Sequence, residues 1–221
     1  TVPPNVTLSA PAATAGTSFT RVLNQGDVCL IEGTSSTTDK SITGVKISAD
    51  KNIGVYNGSG DLVGPCNAFF NNYGVEMALP TITWGSEYVV APFSTATGCT
   101  PAVSSLIRVI SSSSTPLTVT VTSASGAVFT QTLNYEGAFF TRPVSEAAII
   151  SAPEKKIAVV QITANNTTFT NVLPVQQWGI DNISTASPTE FSGASDNFAM
   201  LIQKSVGGVG KLSVDAVLQT G

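Results

Sequence analysis

One short motif occurs twice in this sequence, and the repetition constrains the fold more than any other feature. Leu-Pro-x-x-x-Trp-Gly spans residues 79–85 and again 173–179, so the two copies contain both tryptophans of the chain, Trp84 and Trp178. Flanking blocks match in the same order: 19–24 with 129–134, 47–55 with 150–159, and 117–121 with 212–216. Four blocks repeated at a spacing of roughly 95 to 110 residues indicate a duplicated unit of ordinary domain size.

The segments between these motifs have the pattern of short β-strands. Apolar and β-branched residues alternate over a few positions and are then interrupted by Gly, Ser, Asn or Pro, which is typical of a β-sandwich or barrel. We therefore predict an all-β chain of two tandem, internally duplicated β-sandwich units, jelly-roll or immunoglobulin-like. The expected organisation is an extended lead-in at 1–17, a first sandwich at 18–126 and a second at 127–221. Among the predicted strands are 18–23, 28–32, 42–47, 106–110, 117–122, 128–133 and 157–162.

Composition excludes several classes of function. Charged residues make up 11% of the chain, against about a quarter in an average globular domain. The ten Lys and Arg residues are scattered singly, so we expect no nucleic-acid partner. No apolar run approaches the ~20 residues of a transmembrane helix. The chain has no histidine, which removes Ser-His-Asp and Cys-His catalysis and the commonest zinc ligand. We expect neither an enzyme nor a metal or other cofactor.

Three cysteines, at positions 29, 66 and 99, carry a prediction about the compartment. Cys66 and Cys99 lie on either side of the first tryptophan motif and have no counterparts around the second. We predict a disulfide between them, which implies an oxidising compartment. Cys29 is left as a free thiol or as the site of an intermolecular bond. The alternative is that all three are buried free thiols in a cytosolic protein.

Five triplets have the pattern of N-glycosylation acceptors, Asn-x-Ser/Thr without proline. They begin at Asn5, Asn57, Asn165, Asn166 and Asn182. Asn57-Gly58 is also the favoured dipeptide of a two-residue hairpin turn, and an exposed turn would suit both roles. In an unmodified protein the same asparagines would only cap turns.

Trp84 and Trp178 admit two interpretations. Each indole is either a core aromatic beside a glycine that permits close packing, or an exposed platform on which a sugar ring stacks. Because the two residues occupy matched positions of a repeat, we expect core aromatics.

Four stretches resemble the extracellular domain found at the amino-terminal side of mucus IgG Fc-binding proteins and in many secreted invertebrate proteins. They are SITGVKISADKNIGVYNGS, MALPTITWGSEYVVAPF, LIRVISSSSTPLTVTV and IISAPEKKIAVVQ, in that order within residues 40–162. The resemblance implies a secreted, β-rich adhesive or matrix module, and it brings no catalytic residues. It has no residue signature for Fc binding, so that activity is not carried over.

Together these observations predict a non-enzymatic, extracellular structural or adhesive glycoprotein module that acts by protein–protein contact or self-association. Its partners would be other extracellular proteins or copies of itself, and β edges that accept further strands suit that role. One alternative is a carbohydrate-binding module that uses exposed aromatics, and therefore takes glycans as partners; the candidates are Tyr56, Tyr73, Trp84 and Trp178. Another is a fibre or capsid protein of a virus or bacterium.

Overall fold

The computed structural model describes residues 1–3, 6–33, 41–62, 72–92, 105–163 and 169–178. Residues 1–178 belong to one compact unit, and residues 179–221 lie outside the described residues. The described residues contain thirteen strands and two 3₁₀ turns, Thr81–Thr83 and Val175–Gln177. The strands are β1 Leu8–Ala10, β2 Ala12–Ala13, β3 Glu32–Gly33, β4 Tyr56–Leu62, β5 Asn72–Met77, β6 Glu87–Val90, β7 Ser105–Ser111, β8 Leu117–Ser123, β9 Val128–Leu133, β10 Phe139–Val144, β11 Ala148–Ser151, β12 Ile157–Thr163 and β13 Phe169–Val172.

Two antiparallel four-stranded sheets share the main core. One has the order β10-β7-β12-β13 and the other β6-β11-β8-β9. A single buried cluster contains residues of both sheets, as in a β-sandwich. Its most buried apolar members are Tyr88, Val90, Ile107, Val109, Val119, Ile150, Ala152, Ile157 and Val159. The prediction of an all-β fold is confirmed.

The alternating sequence of the central strands explains why they form. Along β7, every second residue from Ser105 to Ser111 is buried and the residues between them are half-buried. β8 buries Leu117, Val119 and Val121 in the same way and turns its threonines outward. Burying a Val or Ile side chain fully contributes about 1.5–3 kcal/mol, so a one-residue slip of either strand would lose several such contributions together.

Strands from both predicted units build these sheets. β7 pairs with β10 and β12, and β8 pairs with β9 and β11, so each sheet crosses the predicted boundary at 126/127. The boundary itself lies in the tight turn between β8 and β9, where Gly126 has φ +85°. The described residues therefore form one core across both units, and the duplication stays a prediction about ancestry.

Smaller elements lie outside the main core. β2-β1-β3 forms a three-stranded sheet over a small cluster of Val2, Val6 and Leu8. β4 and β5 form an antiparallel hairpin. Asn57-Gly58 lies inside β4, opposite Glu76 and Val75, so the prediction of a hairpin turn there is wrong. The predicted strands at 18–23, 28–32 and 42–47 are also wrong, apart from Glu32 at the start of β3, and Val22 and Val28 are 89% and 92% exposed.

Tyr88 joins the two sheets through its buried hydroxyl. Tyr88 lies on β6, and its hydroxyl accepts a hydrogen bond from the Gly85 N–H (2.9 Å) and donates to the carbonyl of Ile157 on β12. Burial raises the pKa of this phenol above its ordinary value, while the hydrogen bond from Gly85 opposes the rise. Loss of the proton would leave the Ile157 carbonyl facing a phenolate.

We predict that Tyr88→Phe lowers the free energy of unfolding at pH 7 by about 1–3 kcal/mol, because it leaves two buried backbone groups without their partner. The raised pKa adds a pH dependence. The contribution of Tyr88 is fully present below pH ~10 and is lost as pH rises through its folded-state value, because the unfolded chain gives up the proton first. Urea unfolding at pH 7 to 11 measures both effects, and the wild-type advantage over Tyr88→Phe should shrink in the alkaline range. A difference in free energy of unfolding between the two proteins that does not change with pH would contradict this role of the Tyr88 hydroxyl.

Candidate functional site: an exposed strand edge

The two tryptophan motifs adopt the same local structure. In each, a proline in extended conformation precedes a 3₁₀ turn and a tryptophan follows it. The Trp84 Nε1–H donates to the Leu79 carbonyl (3.0 Å), and the Trp178 Nε1–H donates to the Leu173 carbonyl (3.2 Å). The two motifs therefore share their local backbone conformation and their indole contacts.

These two turns also contact each other. The Gln176 Nε2 donates to Ser86 Oγ (3.1 Å), and the Gln177 Nε2 donates to the Thr83 carbonyl. Gly85 packs so closely on Pro174 that a Cβ at position 85 would overlap the proline ring. The two copies of the motif thus form one contact between the segments that follow β5 and β13.

The structure corrects the prediction of two core aromatics. Trp84 and Trp178 are half-buried, and neither belongs to the buried cluster. Each indole N–H donates to a carbonyl of its own turn, and the ring stays partly exposed there. A cleft of about 70 Å³ lies beside Trp84, lined also by Asn57, Asn171 and Pro174. Small-molecule sites enclose ~300–1,000 Å³, so this cleft is too small to enclose a sugar ring.

The other predicted site residues are dispersed. Cys29 is a half-buried free thiol. Asn57 is exposed on β4, where its side chain is accessible. Tyr56, next to it, is 66% exposed. Six residues lie outside the described part of the chain: Asn5, Cys66, Cys99, Asn165, Asn166 and Asn182.

The described ranges meet neither the requirements of a metal site nor those of a membrane-crossing helix. No three His, Cys, Asp or Glu side chains come together there in a way that would hold a metal ion. The helical turns of those ranges have neither the length nor the apolar character of a membrane-crossing helix.

The four edge strands of the two main sheets differ in how well they are protected from further pairing. β6 and β13 have four residues each, and Asn171 of β13 donates to the Met77 carbonyl of the β4–β5 hairpin (2.7 Å). β10 carries Arg142 and Pro143. Short length, covering contacts, charge and proline are the usual means of protecting an edge. β9, Val-Phe-Thr-Gln-Thr-Leu, is six residues long and has no charge, proline or glycine.

The backbone of β9 presents free hydrogen-bonding groups at alternate residues. The Ser123 N–H donates to the Ala127 carbonyl (2.9 Å), which makes these residues a hydrogen-bonded pair in the β8–β9 ladder. Because such pairs alternate along an antiparallel ladder, Val128, Thr130 and Thr132 turn their N–H and C=O groups away from β8. No other strand of the described residues pairs with that side of β9. One outward group has a side-chain partner, since the Gln131 Nε2 donates to the Thr132 carbonyl (3.1 Å).

The side chains on the outer face at this edge are small and uncharged. Thr118 and Thr132 are exposed, lie opposite each other and place their hydroxyls 3.5 Å apart. Thr130 is exposed opposite Thr120, and Val128 is 63% exposed. An incoming strand therefore meets no charge and no bulky group along this face.

The opposite face of β9 anchors the edge. The rings of Phe129 and Phe140 meet edge to face with centroids 5.8 Å apart, and the Arg142 guanidinium lies 4.1 Å from the Phe129 centroid. Such contacts contribute on the order of 0.5–1.5 kcal/mol each beyond area burial. The edge is thus held in place from inside, while none of the described strands covers its outer side.

The turn before β9 binds an acidic side chain from the connection between β10 and β11. Glu146 accepts hydrogen bonds from the Ser125 hydroxyl (2.6 Å) and the Ser125 N–H (3.0 Å). The Ser125 side chain is the main reason that the pKa of this carboxyl lies below its ordinary value, and Ser123 adds to the effect. The charge is therefore at the end of β9 and not along it.

The sequence pattern predicted β9 as a strand but not as an edge. β8 and β9 both alternate threonine with larger residues, and only the strand order distinguishes an interior strand from an edge. The sequence feature that indicates an unprotected edge is an absence, since none of the six residues of β9 is charged, proline or glycine.

A family model described as "IgGFc binding protein" matches residues 1–221. No curated protein and no solved structure matches the chain.

The contact between the two turns generates a stability prediction. Gly85→Ala should lower the free energy of unfolding by about 1–3 kcal/mol, because the added methyl group overlaps the rigid Pro174 ring. Gly54→Ala is the matched control, since its Cβ would meet Tyr56 at an ordinary 3.7 Å. Chemical denaturation of both variants measures the difference. Equal stability of the two variants would show that the turns are not in close contact.

Proposed function

The chain belongs to the IgGFc-binding protein family, and on this premise we propose that it is a non-enzymatic structural or adhesive glycoprotein module that binds other proteins by strand addition at β9. The family is one of extracellular, non-enzymatic protein-binding modules. The finer role, in matrix, mucus or a cell-surface assembly, is part of the proposal.

The open edge of β9 is the observation that carries this proposal. Strand addition supplies affinity through main-chain hydrogen bonds and specificity through the alternating side chains. Three residues of β9 turn their backbone groups outward, and each hydrogen bond made there contributes a net ~0.5–1.5 kcal/mol. Contacts across the threonine-rich face would add to this, at roughly 0.2–1 kcal/mol for each cross-strand pair.

The first protein to test as a partner is the one that the family's description mentions, the Fc part of immunoglobulin G. The proposal itself is wider than Fc, because an edge that binds backbone accepts any extended segment with compatible side chains.

We predict that Thr130→Lys weakens protein binding at least tenfold, because a charged lysine at an edge disfavours strand addition. The matched control is Thr120→Lys, which adds the same charge to the same face at the residue directly opposite, in the interior strand β8. Wild type and both variants would be immobilised and exposed to Fc fragment and to the extracellular fluid of the source organism. Retained proteins would be identified by mass spectrometry and their dissociation constants measured.

Proteins retained by wild type and Thr120→Lys but lost by Thr130→Lys are the expected result. If no protein is retained, Fc included, the proposed function is wrong. If both lysine variants lose binding equally, the partner binds the face of the sheet and not its edge.

We also propose the Cys66–Cys99 disulfide and N-glycosylation of this module. Mass spectrometry of the native protein without reduction should show a peptide that links Cys66 to Cys99, a bond that could add about 3–4 kcal/mol by restricting the unfolded chain. It should also show glycan on Asn57, whose side chain is exposed. The same spectra test Asn5, Asn165, Asn166 and Asn182, and the state of Cys29. Free thiols at both 66 and 99, with no glycan at any acceptor, would contradict an extracellular glycoprotein.

A further inference from the structure

The outward-facing residues of β9 are arranged symmetrically. Val128, Thr130 and Thr132 turn their backbone groups to the open side, and Thr130 lies midway between the other two. When two copies of such a strand are brought together antiparallel about a two-fold axis at Thr130, Thr130 lies opposite itself and Val128 lies opposite Thr132. Every outward residue then faces another outward residue.

We propose that a second copy of this chain occupies the open edge of β9, which joins the two sheets into one continuous eight-stranded sheet across a two-fold axis. The proposal rests on the proposed function and identifies its partner. Closed two-fold dimers are the commonest symmetric assemblies, and their interfaces require a patch that is complementary to itself.

The register follows from the backbone. Shifting one copy by a single residue would set Phe129 and Gln131, whose backbone groups point to β8, opposite the outward residues of the other copy. Their groups are already used in the β8–β9 ladder, so this register cannot form hydrogen bonds. Centring the axis on Val128 or Thr132 pairs fewer outward residues. The register centred on Thr130 therefore makes the most use of the edge.

The side chains are compatible with this pairing. Thr130 meets Thr130 and Val128 meets Thr132 on the outer face, and β-branched pairs of this kind stabilise antiparallel neighbours. On the other face, Gln131 of one copy meets Phe129 of the other beside the Arg142 guanidinium. No charged residue lies within β9 itself, so the paired positions carry no charge.

The flanking charges lie beyond the paired residues. At one end of β9 is Glu146, which is held by Ser125. At the other end are Glu136 and Lys46, which form an ion pair of 2.8 Å. The two-fold axis sets the Glu146 end of one copy beside the Lys46–Glu136 end of the other. Each carboxylate has a partner within its own chain, so the ends do not oppose association.

A disulfide trap tests the register directly. In the proposed pairing Thr130 faces Thr130 as a hydrogen-bonded pair, for which the Cα atoms lie about 5.5 Å apart, within the range that a disulfide spans. Thr130→Cys should therefore give a dimer linked through position 130 under mild oxidation. Thr120→Cys is the matched control on the same face of the interior strand and should stay unlinked. Peptide mapping by mass spectrometry separates this link from any bond of the native cysteines.

Sedimentation equilibrium tests the association itself. The wild-type chain should show a concentration-dependent monomer–dimer equilibrium. Thr120→Lys should leave the dissociation constant within a few-fold of the wild-type value, and Thr130→Lys should raise it at least tenfold. Circular dichroism shows whether each variant is folded. If a lysine variant does not fold, the comparison of Thr130→Cys with Thr120→Cys decides whether β9 pairs with itself.

The outcomes separate the two proposals. A monomer at all concentrations, or equal linking through positions 120 and 130, overturns the self-pairing. If such a monomer still binds another protein in a manner that depends on Thr130, the proposed function stands with a different partner strand. A dimer that is insensitive to Thr130→Lys also overturns the pairing, since it must form through another surface.

Discussion

The two sheets are held in place by buried polar contacts at both ends of an otherwise apolar core. At one end the Tyr88 hydroxyl joins Gly85, two residues before β6, to Ile157, the first residue of β12. At the other end Gln161 of β12, 4% exposed, donates to the Ala91 carbonyl (2.7 Å) and to Ser105 Oγ (3.1 Å). Apolar burial is non-directional, whereas these hydrogen bonds are satisfied in one alignment of the sheets, so they fix how the two sheets lie on each other. The ladder order within one of those sheets then places β9 at its edge.

The sequence predicted the strands whose alternation is driven by this core. The predictions at 106–110, 117–122, 128–133 and 157–162 correspond to β7, β8, β9 and β12. The segments at 18–23 and 28–32 contain residues of equal β-propensity, yet Val22 and Val28 face solvent and no ladder forms between them. A strand requires a partner as well as a pattern, and local sequence does not identify the partner.

Two other predictions depended on contacts that the pattern of residues does not reveal. Asn57-Gly58 has the composition of a hairpin turn, but Gly58 lies in β4 where the Gly74 carbonyl of the neighbouring strand passes closely, and the absence of a side chain serves that approach. The tryptophans repeat as core residues would, but each indole N–H satisfies a carbonyl five residues earlier in its own turn. An aromatic that closes a local turn needs a polar partner at its edge, and this keeps it away from the middle of the sandwich.

The candidate site consists of backbone groups, and this explains why no motif indicates it. Val128, Thr130 and Thr132 contribute N–H and C=O groups that every residue except proline carries in full. Their side chains matter mainly by what they lack, since a charge or a proline at these positions would close the edge, as Arg142 and Pro143 do on β10. Membership of a protein-binding family is thus compatible with the lack of a residue signature for any one partner. Recognition of this kind is determined by strand order, which only the folded chain displays.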